Sequence, residues 1–135
     1  MLFQASFDIT AVDPDGKKYN KVSNVVGKES KSGIDMRMDL YTDNLVCPPA
    51  VGAAMQIALF NGKPFQDQDD EKQLAHWQFI MNGKVIRLAM HNSNVHREVV
   101  VSFGGLLLSL KGDAHRLAAI LPDASVALAG RIVRS

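Results

Sequence analysis

The sequence predicts an all-β fold, an antiparallel sheet closed into a barrel, with one short helix. Three observations lead there. Apolar residues recur at every second position in one segment after another, the segments are short and regularly spaced, and turn signals stand between them.

The clearest element covers 34–40, where Ile34, Met36, Met38 and Leu40 alternate with Asp35, Arg37 and Asp39. Successive strand side chains point to opposite faces, so one face is apolar and the other charged. A helix would scatter the same charges around its whole circumference. Phe7, Ile9 and Ala11 repeat the pattern around Asp8 and Thr10, as do Met55, Ile57 and Leu59 around Gln56 and Ala58. Trp77, Phe79 and Met81 follow, then Ile86, Leu88 and Met90, then runs over 95–103, 106–110 and 126–133.

The punctuation agrees. Asn82-Gly83 between two strand-like runs predicts a hairpin, because a type I′ turn needs two positive φ angles. Gly104-Gly105 joins 99–103 to 106–110 in the same way. In Asp13-Pro14-Asp15-Gly16 proline presets φ and glycine takes the left-handed position. Asn61-Gly62 ends another strand, and 66–72, with Asp67, Asp69, Asp70 and Glu71, reads as a solvated acidic loop. The helix is expected over 113–121: Asp113 caps it, Leu117, Ile120 and Leu121 give it an apolar side, and Pro122 stops it. Closure is preferred to a sandwich because it removes exposed edges. No repeat or linker divides the chain, so 1–135 is expected to be one domain, long enough to bury roughly two thirds of its unfolded surface.

The formal net charge is +1, which gives no electrostatic support for a stand-alone nucleic-acid binder. Cys47 has no partner for a disulfide, which favours a reducing compartment. Residues 1–8 lack the basic region and apolar stretch of a secretory signal, and no apolar run approaches the roughly 20 residues of a membrane-spanning helix. His76, His91, His96 and His115 share no strand face or helix face at ligand spacing; His91 and His96 flank the Asn92-Ser93-Asn94 turn on opposite parities. Surface histidines are the better reading, and neither metal nor cofactor is expected. Cys47 has no neighbouring histidine, and Gly104-Gly105 lacks the Lys-Ser/Thr of a phosphate loop. Asp67 and Asp69 lie in a loop with no apolar pocket to shift a pKa. No catalytic residue is expected.

Aromatic platforms among basic residues would mark a nucleic-acid surface. The aromatics are Phe3, Phe7, Tyr19, Tyr41, Phe60, Phe65, Trp77, Phe79 and Phe103, most at core parity. Lys17, Lys18 and Lys21 form a small basic patch after the first turn, read either as solubilising charge or as a nucleic-acid contact. Any such contact is expected to be weak and salt-sensitive.

Three stretches in order resemble one family. They are Phe7-Asp8-Ile9 running on to Val12-Asp13-Pro14-Asp15-Gly16-Lys17-Lys18-Tyr19 and Lys21-Val22-Ser23, then Phe79-Ile80-Met81-Asn82-Gly83-Lys84-Val85, and 101–113, with Ser102-Phe103-Gly104-Gly105-Leu106-Leu107-Leu108 at its heart. Together they are similar to the small barrel subunit, the eighth, shared by nuclear RNA polymerases I, II and III. The resemblance implies an antiparallel barrel of about eight strands related to the oligonucleotide/oligosaccharide-binding fold. It implies docking on the largest polymerase subunit near the pore and funnel, a role in assembly, no catalytic residue or cofactor, no membrane, and a nuclear location in nucleoplasm and nucleolus. A helix inserted before the last strand also resembles the oligonucleotide-binding barrel. The chain departs from the family in a short acidic loop between Phe60 and Leu74, a segment 27–33 rich in Lys, Ser and Gly, and a C-terminus without an aromatic ending.

The expected function is therefore a non-catalytic structural subunit of nuclear RNA polymerase. The rival is a free-standing barrel that binds single-stranded nucleic acid. An apolar patch with a polar rim favours the first, and exposed aromatics in a basic groove the second. The docking site is expected at Phe103, Gly104, Gly105, Leu106, Leu107 and Leu108. From 99 to 110 the alternation fails, since Val99-Val100-Val101 and Leu106-Leu107-Leu108 are continuous apolar runs. Such runs imply that both faces are covered, the outer one by the 113–121 helix or by a partner. The paired glycines also admit a close backbone.

Overall fold

Eight antiparallel strands, most of them at the period-two segments, form in the computed structural model, which describes residues 2–16, 21–42, 45, 48–62, 76–91 and 95–134. The strands are β1 (Phe3–Val12), β2 (Val22–Lys28), β3 (Asp35–Tyr41), β4 (Ala54–Asn61), β5 (Phe79–His91), β6 (His96–Phe103), β7 (Leu106–Asp113) and β8 (Ser125–Val133). Around the sheet they run β1-β2-β3-β7-β6-β5-β8-β4, and β4 pairs back onto β1 to close the barrel.

The inward positions make one core. β1 contributes Phe3, Ala5, Phe7 and Ile9, β3 contributes Met36, Met38 and Leu40, and β4 contributes Met55, Ile57 and Leu59. Each fully buried side chain of this size is worth about 1.5–3 kcal/mol, so the lining is the main force holding the barrel closed. β2 had no visible periodicity because its inward positions are Ser23, Val25 and Gly27. At Gly27 a Cβ would lie 2.9 Å from the Asp8 carbonyl oxygen and 3.2 Å from Phe7 Cβ, so only glycine lets β2 pack there without displacement.

Several turns form as expected. Gly16 N donates to Asp13 O at 3.0 Å, with φ of 50° at Asp13 and 86° at Gly16. Gly104 and Gly105 have φ of 62° and 102°, both positive as a type I′ hairpin requires. Gly62, at φ 71°, follows the end of β4.

Asn82-Gly83 is not a hairpin. It lies inside β5, a continuous strand of 13 residues. Gly83 serves interstrand packing: a Cβ on it would fall 2.4 Å from the Ser102 carbonyl oxygen and 2.5 Å from Phe103 Cδ1. The expected alternation of Ile86, Leu88 and Met90 also fails. A bulge shifts the register between Val85, which pairs with Val101, and Arg87, which pairs with Val100. Counting by twos from buried Val85 would put the Arg87 guanidinium inside the barrel. The extra residue turns Ile86 and Arg87 outward together and returns Leu88 toward the core.

The 113–121 helix does not form. Asp113 Oδ1 accepts a bond from His115 N at 2.8 Å, as a cap would, but successive turns follow, with Ile120 N donating to Leu117 O at 3.2 Å. Arg97 of β6 takes the carbonyls of Leu117 and Ile120, at 2.8 and 2.6 Å. Pro122 has no N–H to donate to the Ala118 carbonyl. The segment still reaches the core through Leu117 and Ile120, both fully buried. Arg116 ties it to β1 and to the residues after β2. Its Nη2 lies 3.0 and 2.8 Å from the Glu29 carboxylate oxygens and 3.2 Å from Gln4 O, and its guanidinium stands 5.0 Å over the Phe3 ring. The Ser32 hydroxyl donates to the same carboxylate.

The acidic stretch 66–72, Cys47 and the Asn92-Ser93-Asn94 turn lie outside the described residues.

Candidate functional site

The β6–β7 hairpin resolves the apolar runs into ordinary alternation. Val99, Val101, Phe103, Leu108 and Leu110 face inward and are buried, whereas Val100 and Leu107 face outward. Phe103 pairs with Leu106, Ser102 with Leu107 and Val100 with Ser109. Phe103 and Leu108 thus line the barrel interior, and Leu106 is half-buried against the core. Of the six residues expected at the docking site, Gly104, Gly105 and Leu107 are exposed, Leu107 to 42%. A Cβ on either glycine would meet nothing within 4 Å, so the hairpin tip is bare backbone.

A web of polar side chains fixes that tip to the neighbouring strands. Asp39 Oδ2 accepts from Leu107 N at 3.2 Å, and Asp39 Oδ1 accepts from Asn24 Nδ2 at 3.0 Å. Asn24 Oδ1 accepts from Arg37 Nε at 2.8 Å, and Arg37 Nη2 reaches Asp15 Oδ2 at 2.9 Å. Asp13 Oδ1 closes the set by accepting from Asn24 N at 2.9 Å. These groups border a cavity of 260 Å³ shared with Gly105 and Leu106. Its donors and acceptors are bonded to one another, so the arrangement holds the hairpin in register with β2 and β3.

The other sequence candidates are more scattered. Lys21 is exposed just before β2, while Lys17 and Lys18 lie outside the described residues. Phe3, Phe7 and Phe103 are buried, Phe60, Trp77 and Phe79 are half-buried, and Tyr41 is the most exposed described aromatic at 43%. The register places His91 directly across from His96, correcting the expectation of opposite parities. Among the described residues no group of three or more His, Cys, Asp and Glu side chains could hold a metal ion.

Sequence reasoning missed one surface feature, the outward pair Ile86 and Arg87 on β5. Ile86 is 55% exposed and Arg87 is exposed beside it. The available signal was an arginine at inward parity two residues after Val85, which only a bulge accommodates.

Fold and surface together define a closed antiparallel barrel in which the β6–β7 hairpin lines the core with Phe103 and Leu108 and presents Leu107 outward. Residues 4–131 match the family model described as RNA polymerase Rpb8, and the chain belongs to that family. It is 32% identical over 123 residues to the "DNA-directed RNA polymerases II, IV and V subunit 8B" of Arabidopsis thaliana, covering 84% of this chain and 83% of that one. It is 29% identical over 137 residues to the "DNA-directed RNA polymerases I, II, and III subunit rpabc3" of Dictyostelium discoideum, covering 95% and 94%. A Schizosaccharomyces pombe relative, also named as subunit RPABC3 of polymerases I, II and III, is 27% identical over 117 residues, covering 87% and 86%. The chain is accordingly an accessory, non-catalytic subunit of DNA-directed RNA polymerase.

Proposed function

We propose that this subunit serves the nuclear RNA polymerases as a structural and assembly element, docked on the largest subunit through the outer side of the β6–β7 hairpin. Relatives named as shared by polymerases I, II and III support a nuclear location spanning nucleoplasm and nucleolus. The closed antiparallel barrel supports a relationship to the oligonucleotide-binding fold. The carrying observation is Leu107, an aliphatic side chain 42% exposed beside two glycines with open space around them. An exposed leucine next to bare backbone suits a protein surface that closes over both. No described aromatic cluster favours single-stranded nucleic acid as the occupant.

Leu107→Glu in the full chain tests the reading. Circular dichroism should be unchanged, and recovery of the largest polymerase subunit with the tagged chain should be lost. Leu108→Glu, which puts a carboxylate into the core, should unfold the barrel. If Leu107→Glu retains both fold and partner, the hairpin is not at the interface.

A further inference from the structure

The hairpin is one edge of a wider outward surface running across β7 and β6 to β5. The register sets its rows: Lys84, Ser102 and Leu107 lie across from one another, and Arg87, Val100 and Ser109 form the next row. Adjacent strands stand about 4.8 Å apart, so Leu107 and the β5 bulge are separated by roughly 10 Å. Ile86, at 55% exposure, is the most exposed large apolar side chain of β5, and half-buried Val100 bridges it toward Leu107. Single exposed aliphatics are ordinary, but an exposed isoleucine and leucine joined by a valine on one sheet face form a contiguous patch.

The charges nearest Ile86 are positive, and the Glu98 carboxylate on the same face lies one row further along, across from Lys111. Lys84 and Arg87 flank Ile86, both are exposed, and neither makes a hydrogen bond or ion pair within the described structure. Arg37, in contrast, is committed to Asp15 and Asn24. The bulge is what brings cation and aliphatic side by side: without the extra residue, only one of Ile86 and Arg87 could face outward. The row holds no aromatic side chain, so it offers no platform on which bases would stack. Two cations without a partner among the described residues, around an aliphatic centre, are complementary to carboxylates on either side of an apolar residue.

We propose that this face, centred on Ile86 and rimmed by Lys84 and Arg87, receives an acidic protein segment of the polymerase subunit that covers the hairpin. The inference rests on the docking reading of Leu107 and adds the chemistry of the partner. The segment carries an aliphatic or aromatic residue against Ile86 and Asp or Glu side chains against the two cations.

Two measurements on assembled polymerase test it. In the first, the paired charge reversal Lys84→Glu/Arg87→Glu is compared with Leu107→Glu in the tagged full chain, with fold checked by circular dichroism. The reversal should weaken recovery of the largest subunit roughly tenfold or more, and wild-type recovery should fall with added salt. If Leu107→Glu abolishes recovery while the reversal retains it, docking stands and the acidic segment falls; if both retain it, both readings fall. In the second, a photoreactive phenylalanine analogue replaces Ile86, and the cross-linked peptide is identified in purified polymerase. A peptide of a polymerase subunit with Asp or Glu within two or three residues of the cross-link supports the proposal. Cross-linking to nucleic acid, to a peptide without carboxylates, or to nothing overturns it.

Discussion

Phe103 occupies the space that a side chain at position 83 would need. A Cβ on Gly83 would sit 2.5 Å from Phe103 Cδ1 and 2.4 Å from the Ser102 carbonyl oxygen, and the carbonyl belongs to the backbone of the paired strand. Neither neighbour yields cheaply. Gly83→Ala is therefore expected to lower stability by about 3 kcal/mol or more in urea denaturation. Gly104→Ala meets no atom and carries only the strain of a positive φ, about 1 kcal/mol. Equal losses at the two sites would disprove the packing role of Gly83.

Glu29 and Arg116 form an ion pair. Glu29 is 8% exposed and lies 2.8 Å from Arg116 Nη2, whose side chain is 38% exposed. Arg116→Met should cost about 1–3 kcal/mol, because it strands a largely buried carboxylate on the Ser32 hydroxyl alone. Adding Glu29→Leu to that variant should recover part of the loss. Thermal denaturation of the two single variants and the double gives the coupling, and a double variant as unstable as the sum of the singles would show there is none.

Arg97 holds the 114–120 turns through two carbonyls. In Arg97→Lys one compact ammonium cannot span both, so the segment should open more often while the barrel stays closed. Hydrogen exchange is the measurement: the Ala118 and Ile120 amides should exchange about tenfold faster, and those of β3 should be unchanged. Uniform acceleration across all strands would mean that Arg97 supports the whole barrel instead.

Deleting Ile86 should leave the barrel folded. Val85 and Arg87 already pair with the consecutive residues Val101 and Val100, so removal of the residue between them completes a regular ladder. The same reasoning makes deletion of Leu88 disruptive, because absorbing the bulge there pairs Arg87 with buried Val99 and turns its guanidinium into the core. Circular dichroism and melting temperature of the two deletions should differ sharply; similar damage from both would show that the bulge is required by the fold.

Much of the fold was legible in local pattern. Where inward positions are large and apolar, as with Met36, Met38 and Leu40 or Met55, Ile57 and Leu59, period two marks both the strand and its buried face. It was illegible where the inward residue is small: β2 went unseen because Ser23 and Gly27 carry no hydrophobic signal. The β6–β7 hairpin was half legible. The stretch 103–108 was correctly placed on a hairpin, with Leu108 buried in the barrel, but the 113–121 segment does not cover the outer face, where Leu107 stays 42% exposed.

By itself, then, the sequence determined an all-β chain with most of its strands and its Gly104-Gly105 turn, because alternation and positive-φ chemistry act between residues close along the chain. Its three ordered stretches also carried the polymerase-subunit family. What only the tertiary structure decided depends on residues far apart. Gly83 reads as a turn until Phe103, twenty residues on, is seen to fill its missing side chain. The 113–121 segment reads as a helix until Arg97 of β6 is seen to take its carbonyls. Ile86 and Arg87 share the outer face only because β6 fixes the register against which the bulge is counted. Each is set by which strands lie side by side when the barrel closes, and no local spacing encodes that.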